Sequence, residues 1–187
     1  MASWTPPRTL RSKATAAAAV CALAGACLAP FEGRVLHTYP DAVYGWKLPT
    51  ACDGHTGPEL RAGQVFTPAE CDEMRQADLT KTYDALAPCF GNARLSDQEL
   101  GAYLSLAYNN GAGAVCHSSI PAKVKAGQRA AACAVIGEFI NAGWIRPPKT
   151  DGPTDPGLRR DCRIKANGCA GIPRRRAAES ALCISGL

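Results

Sequence analysis

Two carboxylates nine residues apart, Glu32 and Asp41, carry the clearest chemistry in the chain. Glycoside hydrolysis needs one protonated acid to deliver a proton to the leaving oxygen and one ionised carboxylate to act as base or nucleophile across the sugar. Glu32 follows an apolar run and Phe31, surroundings expected to favour its protonated form, whereas Asp41 follows the turn signal Tyr39-Pro40, where water keeps a carboxylate ionised. Spacing alone does not separate such a pair from two solvated surface acids. Cys52 with His55 as its base is a second candidate, as in cysteine peptidases or amidases, against Cys52 as half of a disulfide and His55 as a structural histidine of a sheet. Trp46 and Trp144 either stack on sugar rings or are buried, and Asn109 and Asn110 either hydrogen-bond a substrate or form a helix C-cap.

These groups need elements to hold them. Residues 37–66 are broken by Pro40, Gly45, Pro49, Gly54, Gly57, Pro58 and Gly63, with short β-compatible pieces between, which predicts a small hairpin sheet. Thr67-Pro68-Ala69-Glu70 combines an N-cap, a proline in the first turn and a capping-box glutamate, so a helix is expected from Pro68 to about Leu86. Ser96 and Glu99 repeat the signal for a helix striped by Leu100, Leu104 and Tyr108 and ending near Asn109-Asn110-Gly111. Ser119 is expected to cap a short helix stopped by Gly127, and Ala132, Val135, Ile136, Phe139 and Ile140 stripe the next, until Gly143. Residues 144–171 read as a Pro/Gly-rich connection before a last helix from about Arg174 to Ile184, opened by Pro173.

Hydrophobic residues at 47% and charged residues at 20% exclude a disordered or fibrous chain, and 187 residues leave room for one ordinary domain with an appended segment. The net charge of +5 sits at one end, where residues 145–187 carry nine basic against four acidic groups. Such an end suits a polyanionic surface or is an ordinary solvated face. Ten cysteines, none in a C-x-x-C spacing, point to disulfides formed in an oxidising compartment rather than to zinc. Arg8, Arg11 and Lys13 precede an uncharged run over residues 14–31, roughly 27 Å long as a helix and barely enough to span a bilayer. Three fates are open to it: cleavage at Ala24-Gly25-Ala26, permanent anchoring, or insertion followed by departure from the membrane.

Phe31-Glu32-Gly33, Tyr39-Pro40-Asp41 and the run from Thr50 through Cys52-Asp53-Gly54-His55 to Gly57 together resemble the active-site stretch of phage-type lysozymes, the muramidase endolysins of glycoside hydrolase family 24. Ala107-Tyr108-Asn109-Asn110-Gly111, Ser118-Ser119-Ile120 and Arg174-Arg175-Arg176-Ala177-Ala178-Glu179 resemble later motifs of that family, in order. The resemblance implies Glu32 as general acid, Asp41 as the group assisting water, and Thr50 as a holder of that water. The chain departs from the family in a longer Asp41-to-Thr50 spacing, nine against about six, with Trp46-Lys47-Leu48-Pro49 between, in the insertion from Cys162 to Cys169, and in Phe139 where a tryptophan is common. Some endolysins of this family carry a weakly hydrophobic signal-arrest-release segment, and residues 14–31 have that character. Cleavage at Ala26 would leave Glu32 near a free end, which favours retention.

The expected fold is α+β: a small antiparallel sheet beside a mainly helical lobe, lysozyme-like, with residues 1–30 as the export or signal-arrest-release segment and 31–187 as the catalytic domain. The expected reaction is hydrolysis of the β-1,4 bond between N-acetylmuramic acid and N-acetylglucosamine in peptidoglycan, for host cell lysis, without cofactor or metal. The rivals are a lytic transglycosylase and a non-catalytic wall binder. Trp46, Asn109 and Asn110 are candidate substrate contacts. A monomer is expected, partnered by glycan strands and not nucleic acid, tethered transiently to the inner membrane through residues 14–31 and then periplasmic. Among the connectivities open to eight cysteines, Cys52 with Cys71, Cys89 with Cys116, Cys133 with Cys183 and Cys162 with Cys169 join neighbouring elements or close a local loop. Cys21 and Cys27 are left over, as bystanders or as thiols able to attack a bridge after release.

Overall fold

The computed structural model describes residues 13–41, 44–146 and 158–187. Arg8, Arg11 and the side chain of Trp144 lie outside what it describes. The alanine-rich run forms helix α1 (Lys13–Leu28), as the high helix propensity of alanine favours. Its Val20, Cys21, Ala24 and Leu28 are fully buried in the main core, so α1 is a packed helix of the lobe here. Among the described residues no helix is long and apolar enough to cross a membrane.

A three-stranded antiparallel sheet follows, in the order β1 (Val35–Asp41), β2 (Gly45–Cys52), β3 (His55–Thr56). Tyr39 pairs with Thr50, Pro40 with Pro49 and Asp41 with Gly45. Two prolines opposite one another supply no N–H to the ladder, and the register shifts directly after them. Cys52 ends β2 at φ 55°, in the left-handed region, and its disulfide to Cys71 ties the strand to the helix beneath. Ala51, Cys52, Leu60 and Cys71 form a small second core there, with Phe66 and Met74 against it.

Helix α2 (Pro68–Leu86) starts at the expected capping box: the Glu70 N–H donates to Thr67 Oγ1 (3.2 Å) and the Thr67 N–H to Glu70 Oε2 (2.7 Å). Helix α3 (Asp97–Asn110) repeats the arrangement with Ser96 and Glu99, and its residues 101–107 are buried without a break, which places it at the centre of the lobe. A Cβ at Gly101 would meet the Leu23 Cβ at 3.0 Å, so α1 and α3 approach this closely because position 101 has no side chain. Gly111 ends α3 at φ 83°, donating to the Ala107 carbonyl (2.7 Å).

Short helices α4 (Ala112–Cys116), α5 (Ile120–Lys125) and α6 (Arg129–Val135) close the lobe. The capping of α5 is a correction: Ser119 makes no side-chain cap, and Ser118 Oγ instead accepts from the Ile120 N–H (3.2 Å). A second correction concerns residues 144–171. They are not connection alone, because β4 (Asn141–Arg146) and β5 (Leu158–Asp161) pair antiparallel, with residues 147–157 outside the described set. Helix α7 (Gly171–Ile184) then returns across α3. Disulfides Cys89–Cys116, Cys133–Cys183 and Cys162–Cys169 join the Cys52–Cys71 bridge, and Cys21 and Cys27 are free.

Candidate active site

Glu32 lies in the bend that follows α1, where the Phe31 N–H donates to the Leu28 carbonyl (2.8 Å) and closes the turn. Its Oε1 accepts from the Arg175 guanidinium at 2.5 Å, its Oε2 makes no hydrogen bond among the described residues, and its side chain keeps 21% of its exposure. The purely apolar surroundings expected from Phe31 are therefore corrected, since a buried guanidinium is the nearest charged neighbour. Arg175 is in turn fixed by Glu179 Oε1 (3.1 Å from Nε) and the Ser105 carbonyl (3.3 Å). Ser105 Oγ donates to the same Glu179 oxygen (2.7 Å).

Arg175 and Arg176 belong to the basic end over residues 145–187, which was read as facing a polyanion or solvent, and the structure buries them at 4% and 1% exposure. The reason is the i, i+4 and i, i+3 spacing from Glu179, which puts both cations on the face of α7 that meets α3, where the shared carboxylate makes their burial possible. Burial pushes Glu179 up and Arg176 down from their ordinary values, and each is pulled back by the other. Arg174 stays exposed. The Arg-Arg-x-x-Glu spacing, noted in the sequence as a motif, was the available signal for this network.

Asp41 closes β1, its Oδ1 accepting from the Tyr44 N–H (2.8 Å) across the turn. Thr50 is buried in the ladder between Tyr39 and Thr56, its hydroxyl 3.4 Å from the Leu48 carbonyl. Burial raises the Tyr39 phenol above its ordinary value, and the charges of Glu32, Asp41 and Asp53 add to the rise. Tyr108, from α3, is pushed up by burial and then by Asp78, Glu32 and Asp53, and its hydroxyl reaches the Asp53 carbonyl at 3.5 Å. Arg34, two residues after Glu32, forks onto Asp53 (2.9 and 2.8 Å) and so ties the Glu32 segment to the turn after β2. Arg34 carries no motif that marks it in the sequence, and Tyr39 was legible only as part of the Tyr39-Pro40-Asp41 turn.

The other candidates fall elsewhere. Asn109 Oδ1 accepts from Arg176 (2.7 Å), and Asn110 Nδ2 donates to the Leu106 carbonyl (3.1 Å), so both tie down the end of α3. Trp46 stands half exposed on β2, along a groove of the sheet. Cys52 is held in its bridge and has no thiol to offer, while His55 sits between Asp78 (2.8 Å) and Glu59 (2.5 Å). Burial pushes the free thiols of Cys21 and Cys27 up. No cluster able to hold a metal ion occurs among the described residues.

The family model described as phage lysozyme matches residues 29–163. The chain is 32% identical to the SAR-endolysin of Enterobacteria phage P21 over 60% of its own length, and that alignment spans 66% of the phage protein. It is also 32% identical to the SAR-endolysin of Escherichia phage N15, over 92% of this chain and 94% of that one. The active form of the P1 phage endolysin Lyz shares the fold, with a TM-score of 0.66, 16% identity and coverage of 96% of this chain and 97% of that one. The family model over residues 29–163 and the match to the phage N15 protein along nearly the whole of both chains establish that the chain belongs to the phage lysozyme family.

Proposed function

We propose that the chain is an endolysin that hydrolyses the β-1,4 bond between N-acetylmuramic acid and N-acetylglucosamine of peptidoglycan. Glu32 is the general acid, Asp41 assists the attacking water and Thr50 helps to hold it. The observation that carries this reading is geometric: Arg175 holds Glu32 at the end of α1, and Arg34, two residues on, forks onto Asp53 in the turn of the sheet whose first strand ends at Asp41. An inverting reaction needs room for water, with the two carboxyl groups roughly 6.5–9.5 Å apart in the working enzyme. The chemistry uses no cofactor, and the working form is a monomer acting on glycan strands.

The relatives' names support a regulatory reading of residues 1–30 as a signal-arrest-release segment, held in the inner membrane and then freed to the periplasm. In that reading the described fold is the released form. Glu32 follows α1 directly, so its meeting with Arg175 depends on α1 being docked against α3. The test is product analysis of purified peptidoglycan digested by the full chain. New reducing muramic ends with inverted anomeric configuration are expected. Anhydromuramic ends would replace hydrolysis by transglycosylation, and binding without new ends would leave only a wall binder.

A further inference from the structure

A groove of about 590 Å³ runs along β2 beside the candidate site, lined by Trp46, Lys47, Pro49, Pro58, Arg61 and their neighbours. It begins next to Asp41 in the ladder, since Gly45, adjacent to Trp46, pairs with Asp41, and Pro49 pairs with Pro40. Its lining contains two cations and no Asp, Glu, Asn or Gln. Glu59, between Pro58 and Leu60 in sequence, is not in the lining: its carboxylate lies against Gly57 at the groove's edge and is engaged by His55 Nε2 at 2.5 Å. That hydrogen bond is the main cause of Glu59's lowered pKa, with Arg61 a lesser contributor. Arg61 is held in place by donating to the Pro58 carbonyl and to the Leu60 carbonyl (2.8 Å). Its Nε and NH2, like the Lys47 ammonium, make no hydrogen bond among the described residues. Trp46 keeps 51% of its exposure.

We propose that this groove takes the carboxylate-bearing peptide stem of the glycan, with stem carboxylates on Lys47 and Arg61 and its aliphatic parts against Trp46 and the two prolines. The inference rests on the muramidase reading and deepens it by naming a second part of the substrate. Charge and donor balance select the occupant. Sugar hydroxyls need acceptors as well as donors, and Thr56 is the only lining side chain with an oxygen to offer. Carboxylates need donors alone, and the groove presents donors on cations beside an apolar wall. The volume is in the range of sites that hold small ligands.

The test compares hydrolysis of two substrates with the same glycan, one with stems intact and one stripped of them by an amidase. Removing or reversing two exposed charges is expected to lower the intact-to-stripped ratio of kcat/KM roughly tenfold in Lys47→Glu/Arg61→Gln. The single Lys47→Glu variant, at an exposed position whose side chain makes no described hydrogen bond, is expected to show a smaller fall of the same sign, and added salt to lower the wild-type ratio. A ratio unchanged by both variants overturns the proposal. Binding is read separately from catalysis, by NMR titration of the full chain with a soluble tetrapeptide stem, which is expected to shift the Trp46 indole N–H. If neither substrate is cut, the muramidase reading fails and this titration still judges the groove. A shift of that signal with stem-free glycan oligomers and not with the peptide makes it a sugar site and overturns the proposal.

Discussion

Raising the pH through the titration of His55 is expected to loosen the sheet from α2. The ring donates from Nδ1 toward Asp78 on α2 (2.8 Å) and from Nε2 toward Glu59 (2.5 Å), and only the imidazolium can donate to both at once. Burial pulls the His55 pKa down, but the hydrogen bonds to the two carboxylates outweigh it, and the pKa stands above the ordinary 6.5. A raised pKa in the fold means that the stabilisation is complete below 6.5 and is lost as pH rises through the folded-state value. Glu59 is lowered from 4.5, so its share is lost as pH falls through its own folded-state value. The clip is therefore strongest between 4.5 and 6.5. The Asp78 bond, with the His55 side chain 12% exposed and Asp78 27%, is a charge-assisted contact of about 1.5–3 kcal/mol. Glu59 is 55% exposed, and solvent discounts its contact to under about 1 kcal/mol. A neutral ring keeps one hydrogen bond, about 1 kcal/mol. His55→Gln should therefore lower Tm by about 3–16 °C near pH 5.5 and by about 2–4 °C near pH 9, at about 2–4 °C per kcal/mol. Thermal denaturation at both pH values reads this directly. Equal losses at the two pH values would refute a charged His55.

Opening the Cys52–Cys71 bridge with Cys52→Ser/Cys71→Ser releases a loop with a sequence separation of 19, and should cost about 3 kcal/mol in urea denaturation; a loss below about 1 kcal/mol would contradict it. Gly101→Leu should wedge α1 from α3 at the 3.0 Å contact, costing about 1–3 kcal/mol and lowering lysis because Glu32 follows α1; full activity would separate Glu32 from α1 docking. Arg160, Arg163, Lys165 and Arg174 are exposed, so lysis of intact wall should fall with salt while cleavage of a neutral chitooligomer does not; equal sensitivity would make them an ordinary solvated face.

The two long helices were legible because their starts are set by local chemistry, with a hydroxyl and a carboxylate three residues apart at Thr67 and Glu70 and again at Ser96 and Glu99. The sheet was legible from its breakers, and the four cysteine pairs, among many connectivities, from the rule that each joins neighbouring elements or closes a local loop. What was not legible depends on contacts between segments far apart in sequence. Arg175 meets Glu32 across 143 positions, and nothing near either residue announces the other. The pairing of β4 with β5 likewise depends on partners separated by a long excursion that reads as a loop. The surface assignment of Arg175 and Arg176 failed because side-chain charge predicts exposure only when no buried counter-charge is within reach, and Glu179 is one helical turn away.

The central claim is that Glu32 delivers the proton. The most direct test is Glu32→Gln, which keeps the shape and an oxygen for Arg175 but has no acidic proton, assayed by counting reducing muramic ends released from purified peptidoglycan. The account predicts a folded protein, with wild-type circular dichroism, that releases none, beside an Asp41→Asn protein that is severely slowed. A Glu32→Gln protein that cuts glycan at the wild-type rate would contradict it.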